Sequence, residues 1–215
     1  MSGQGSSSHW AAAERRRVAE QHARIVAEQQ QNAIDAEVRQ TRRELLAQVR
    51  RRGGAMAVPI FDDYFLSIAD WPAVVKAVLD AAFTLGNAAA CDLQVCEPGD
   101  VLRMAAHRGF PADFLAYFDT VAPTQATACA AALSTRAPVY VDDVTSSPIF
   151  DGQETRTVVL DAGTRSVQSH PLLGPSGRVL GVLSFHYPRL APARTRTALI
   201  ATGAAHALAA LRSGG

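Results

Sequence analysis

The residues with chemistry to offer are two histidines and three cysteines. His170 and His186 both fall within SVQSHPLLGPSGRVLGVLSFHY, residues 166–187, and imidazoles this close in sequence raise a metal or acid–base reading. The stretch reads as a β-hairpin around Gly-Pro-Ser-Gly, which tests that reading by geometry. A four-residue loop at 174–177 sets Leu173 against Arg178 and His170 against Gly181, leaving His186 five residues further on. That is roughly 17 Å along the strand, and the odd offset puts the two rings on opposite faces, so they cannot share a metal. Pro171 cannot donate to a ladder and marks a bulge that redirects His170, which makes His170 the functional candidate and His186 a locally hydrogen-bonded packing residue. Cys91, Cys96 and Cys129 do not have the spacing of a zinc site. Cys91 and Cys96 lie in CDLQVCEP, an odd number of residues apart on a predicted strand, and so point to opposite faces.

The elements that must position these residues follow from composition and periodicity. With 48% hydrophobic and 19% charged residues, the chain can bury a substantial core. Its net charge of +1 argues against a dedicated nucleic-acid binder. The charge is uneven: residues 14–52 carry ten Arg and six Asp or Glu, +4, leaving −3 for the remainder. Three cysteines without a signal peptide suit a reducing cytoplasm, and no apolar run approaches the ~18 residues of a membrane span.

Residues 1–10 are small and polar and are expected to be a disordered tail. Residues 11–52, rich in Ala, Arg, Glu and Gln without Pro or Gly, predict a long helix. Val18 and Ile25, then Ile34, Val38 and Leu45, make two heptad fragments, the seam of a coiled-coil homodimer. The Arg clusters at 15–17 and 50–52 permit nucleic acid or an acidic membrane, but interleaved acids favour a solvated helix face. Gly53 and Gly54 end this helix, and 53–71 is read as a linker. From 72 to 212 the pattern is compact: a helix with Val75, Val78, Leu79, Ala82 and Phe83 on one face; strands at 91–98 and 101–108; helices at 111–121 and 127–134; a strand at 137–144; a helix closed by Gly163; the hairpin of 166–187; and a last helix over 193–212. This is an α/β, or α+β, domain with an antiparallel sheet. No Gly-rich phosphate loop, Gly-x-Ser-x-Gly elbow or His-Glu-x-x-His motif is present.

AAHRGFPADFLAYFDTV (105–121), TACAAALSTRAPVYVDDVTSSPIF (127–150) and AGTRSVQSHPLLGPSGRVLGVLSFHY (162–187) together resemble a GAF domain. The similarity is to the group common in bacterial sensor kinases and regulators, and it covers residues 72–212. One departure is Ala130, where that group has Gly after the helix cysteine. The resemblance implies about six antiparallel strands, helices on one side that often pack in dimers, and a ligand cavity on the other. It does not name the ligand, since such domains bind cyclic nucleotides, haem, bilins, flavins, small metabolites or nothing. Cys129 is followed by Ala130 rather than the His of a bilin site, and the Asn-Lys-Phe-Asp-Glu signature of cyclic-nucleotide binders is absent. Haem would need His107, His170 or His186 as axial ligand.

These observations define expectations. The chain is expected to be a cytoplasmic, non-catalytic sensory module or dimeric adaptor that signals through its N-terminal helix to a kinase or regulator partner. Phe118, Cys129, Phe150, Gln168 and His170 are expected to line its small-molecule pocket. The alternatives are a cysteine-dependent free methionine-R-sulfoxide reductase, which also uses the GAF fold, and a scaffold without ligand.

Overall fold

The computed structural model of the chain describes residues 16–26, 28–29, 32, 59–191 and 194–213. Two compact units divide it, Met1–Gln40 and Thr41–Gly215. In the first, residues 16–26 are helical, and Val18, Ile25 and Val26 are exposed. The tail at 1–10 and the fragment Ile34, Val38 and Leu45 lie outside the described residues.

The second unit opens with a 3₁₀ turn, Pro59–Phe61, and helix α1, Asp63–Ile68, whose N-terminus is capped by Asp62 accepting from the Phe65 amide at 3.0 Å. Both fall inside the stretch read as a linker. From Pro59 onward that stretch is ordered onto the domain, because Ile60 is fully buried and Phe61 and Ile60 seat against Gly203 of the last helix. Helix α2, Trp71–Leu85, starts with Asp70 capping Ala73 at 3.0 Å and Pro72 in its first turn.

Strands β1, Ala90–Glu97, and β2, Val101–Arg108, form the first hairpin, with Gly99 at φ +85° and Asp100 at φ +57° in the turn. Helix α3 is Ala112–Tyr117, shorter than the 111–121 predicted. The β-branched pair Thr120–Val121 leaves the helix as strand β3, which pairs with β2 and buries Val121 completely. Helix α4, Ala128–Thr135, strand β4, Val139–Val141, helix α5, Glu154–Asp161, strands β5, Ser166–Leu173, and β6, Val179–Tyr187, and helix α6, Arg194–Ser213, complete the chain.

The six strands make one antiparallel sheet in the order β3-β2-β1-β6-β5-β4. Helices α2 and α6 cover one face, and α3, α4 and α5 cover the other. Central strand β6 is therefore buried at every residue, as its near-continuous apolar sequence demands.

Gly181 lies within β6 between β1 and β5, where an added Cβ would stand 2.2 Å from the Gln94 carbonyl oxygen. Backbone on a central strand cannot yield as a side-chain tip can. Gly181→Ala is expected to cost about 3 kcal/mol, against about 1 kcal/mol for Gly177→Ala, which meets only the strain of its positive φ. Urea denaturation of both variants checks the order; equal losses would show that β1 and β6 separate easily.

Candidate functional site

Strand alternation sorts the buried polar groups onto the two faces of the sheet. His170 pairs with Leu183, not Gly181, because the hairpin carries a register shift at Leu172/Leu173 rather than at Pro171. Leu173 pairs with Val179 rather than Arg178, and the irregularity adds one residue more, so the register moves by two; the offset to His186 becomes three, still odd, and the rings lie roughly 10 Å apart along the strand on opposite faces. Pro171 causes no bulge because β4 pairs with β5 only as far as Ser169, so its missing N–H faces no strand on that side.

His170 faces α6. Its Nε2 lies 3.1 Å from Thr197 Oγ1, which donates to Gln168 Oε1 at 2.6 Å, so a proton on Nε2 satisfies the chain in order. Tyr140 and Phe185 meet the imidazole edge-on at 5.6 and 5.7 Å. Gln168 and His170 were expected in the pocket, and the structure places both in the helix-packed layer instead. For His170 the expectation rested on a bulge at Pro171 that the strand does not make.

On the other face, β1, β5 and β6 form the floor of a small cavity of about 20 Å³. Asp92, Ser184 and Ser169 are consecutive cross-strand neighbours, with Ser169 Oγ and Ser184 Oγ 3.0 Å apart. His186 Nε2 reaches Asp92 Oδ2 at 3.1 Å, and its Nδ1 lies 3.3 Å from Thr164 Oγ1. Because the carboxylate only accepts, Nε2 carries a proton; in the neutral ring Nδ1 then accepts from Thr164. Two residues beyond Asp92 on the same face, Gln94 is 1% exposed, and its Oε1 has no hydrogen-bond partner.

The roof is apolar. Phe110 and Phe114 stack at 4.0 Å, Phe114 meets Phe118 at 4.4 Å, and both Phe110 and Phe114 stand perpendicular to the His186 ring. Phe118, Phe150 and Val159 close the space with the first turn of α4, where Thr127 caps the Ala130 amide at 3.1 Å and lies 3.2 Å from Cys129 Sγ. The expected residues Phe118, Cys129 and Phe150 do line this cavity. Asp92, Gln94, Ser169, Ser184 and His186 were missed, although polar residues at alternate positions of CDLQVCE and SFHY carry that signal.

The thiols are not activated. Burial, with the nearby Asp92 charge second, pushes Cys129 up to about 12, and burial also raises Cys96 and, more strongly, Cys91. Cys91 lies on the helix-packed face, while Cys96 and Cys129 share the cavity-side core. Among the described residues no three His, Cys, Asp or Glu side chains converge as a metal site requires.

Burial pushes the His170 imidazole down from 6.5 to about 4. Between those values the unfolded chain takes up a proton that the folded state refuses. The contribution is therefore intact above pH 6.5 and is lost as pH falls towards 4, amounting to roughly 3 kcal/mol in full. His170→Gln is expected to be less stable at neutral pH but to lose stability less steeply over that window, as measured by chemical denaturation across pH. Parallel curves would show that another group controls the acid limb.

No curated protein matches the chain. Among solved structures, a GAF domain/HD domain protein from Geobacter sulfurreducens is similar at TM-score 0.56 and 19% identity, over 65% of this chain and 90% of that one. Free methionine-R-sulfoxide reductase from Neisseria meningitidis, in complex with its substrate, is similar at TM-score 0.52 and 21% identity, over 71% and 89%. A domain of a protein assigned as a two-component sensor histidine kinase from Sinorhizobium meliloti is similar at TM-score 0.50 and 19% identity, over 66% and 89%. The family model for the GAF domain matches residues 69–211, two thirds of the chain and the whole of the sheet with both its helical layers, and the chain belongs to that family.

Proposed function

We propose that this GAF domain is a non-catalytic sensory module that binds a small molecule between its sheet and the α3–α5 layer, and acts as a homodimer through its helices. The observation that carries the reading is the polar floor of the cavity, above all the unpartnered Gln94 Oε1. An acceptor buried without a donor costs about 1–3 kcal/mol; Thr84 Oγ1 on α2 is also buried and unpartnered, but Gln94 is the one that lines a cavity. The free space of about 20 Å³ is that of one water-sized group, so the described state is closed and a larger ligand enters by displacing roof rings. The roof is built from three short helices of six and eight residues and a loop, elements that open more readily than long ones. Exposed Val18, Ile25 and Val26 support pairing of N-terminal helices between copies. The sensor kinase domain of the same fold is the precedent for a kinase or regulator partner.

A reductase is the second reading, favoured by Cys129 in the cavity lining and by the fold shared with the methionine-R-sulfoxide enzyme. A thiol held near 12 is almost wholly protonated at neutral pH, which speaks against it as a nucleophile.

Three measurements test these readings. Gln94→Leu is expected to raise apo stability by about 1 kcal/mol and to abolish the melting-temperature rise produced by a ligand found in a metabolite screen. A variant that loses stability while retaining the ligand response would separate the floor from binding. Thioredoxin-coupled reduction of free methionine-R-sulfoxide is expected to stay at background; turnover abolished by Cys129→Ser would establish the enzyme instead. Sedimentation is expected to show a dimer for the full chain and a weaker one for a chain beginning at Pro59, and a monomeric full chain at tens of micromolar removes the helix-pairing claim.

A further inference from the structure

The charge balance of the cavity selects the chemistry of what enters it. Its lining contains no Lys or Arg, and its ionisable groups besides Cys129 are Asp92 and His186. Whether His186 is neutral or protonated, the pair sums to −1 or zero, never to a positive charge. An anion would therefore be desolvated against the Asp92 carboxylate with nothing to offset it. The vacant hydrogen-bonding position on the floor is an acceptor, Gln94 Oε1, two residues from Asp92 on the same face of β1. Above the floor stand the rings of Phe114, Phe118 and Phe150, whose faces attract cations and whose bulk suits an apolar group. The free space of about 20 Å³ accommodates one head group of the size of water or –NH3⁺.

Resting on the sensory reading above, we propose that the site recognises a small primary ammonium compound with an apolar tail and no anionic group. The head donates to Gln94 Oε1 and lies in the field of Asp92, while the tail displaces the Phe118 and Phe150 rings from the roof.

Three probes with the same branched five-carbon skeleton separate the alternatives: 3-methylbutylammonium, 3-methylbutanol and 3-methylbutanoate, titrated by calorimetry into the full chain at neutral pH. The expected result is that the ammonium binds at least tenfold more tightly than the alcohol and the carboxylate does not bind. Asp92→Asn and Gln94→Leu, both near-isosteric, should each weaken the ammonium at least tenfold and leave the alcohol within about threefold. The proposal is overturned if the carboxylate binds as well as the ammonium, if both variants bind the ammonium like wild type, or if none of the three probes binds. In the first case a Gln94→Leu effect on the carboxylate keeps the cavity as a sensory site and removes only the cation chemistry. In the last case the metabolite screen decides the sensory reading on its own.

Discussion

The central strands of the sheet are buried on both faces, so a polar side chain they carry either finds a partner across the sheet or within one helical layer, or costs stability, as Gln94 does. Strand β6 has no exposed residue, and β1 is buried at six of its eight positions. On such strands a one-residue slip would exchange the two faces and leave Asp92, Gln94, Ser184 and His186 facing the wrong layer. Several interactions oppose the slip. Asp92 meets His186 diagonally between β1 and β6, Ser169 meets Ser184 between β5 and β6, and Tyr187 donates to the Gly86 carbonyl at 2.9 Å beyond the end of α2. Close contact at Gly181 adds a steric pin, since that position admits no side chain.

The two faces treat buried polarity differently. On the helix-packed face, His170, Thr197 and Gln168 form a chain in which each hydrogen bond has a donor and an acceptor of the right kind, and aromatic edges enclose the imidazole. A saturated network of this sort fixes one packing arrangement of α6 and presents nothing to a ligand. The cavity face is polar along its floor, apolar across its roof, and one donor short at Gln94. What separates the two histidines is their surroundings: His186 bonds through both ring nitrogens beside a cavity, and His170 bonds through Nε2 within a packed helical layer.

Much of this was legible in the sequence because it follows from local periodicity. Alternation and turn residues placed both hairpins, and the spacing of apolar residues placed α2 and α6. The motifs carried the family and, with it, the cavity-lining positions Phe118, Cys129 and Phe150. The faces of β5 and β6 were harder to read. A four-residue loop predicts a register two residues off, because the loop runs one residue longer, to Arg178, and a further residue is taken up at Leu172/Leu173, a pair with no Gly or Pro of its own. Face parity holds despite that difference, while Pro171 points to His170, which lies in the helix-packed layer rather than in the cavity lining. Asp92 and Gln94 share their strand with Cys91 and Cys96, whose thiols are the more conspicuous chemistry in CDLQVCE. Their alternation within CDLQVCE would have shown two polar groups on one face of a buried strand, which is an expensive arrangement and therefore an informative one. The shortness of α3 was illegible for another reason: Thr120 and Val121 continue the local helical spacing, and only the open edge of β2, a tertiary feature, draws them into the sheet.

For a ligand to be sensed, its arrival must change something outside the cavity, and the sheet offers a short route. His186 and Phe185 are adjacent on β6 and point to opposite faces. His186 touches the roof rings Phe110 and Phe114, while Phe185 packs edge-on to His170, which is tied through Thr197 to α6. A shift of the roof that tilts His186 acts on a strand with both faces packed and neighbours on both sides, so β6 cannot absorb it by local bending. The displacement passes to α6, against which Ile60 and Phe61 of the N-terminal segment are seated at Gly203. A close-packed glycine seat transmits small helix movements to whatever rests on it, because it leaves no side chain to rearrange. Under the sensory reading proposed above, the Gly203 contact with Ile60 and Phe61 is where such a movement of α6 would be felt.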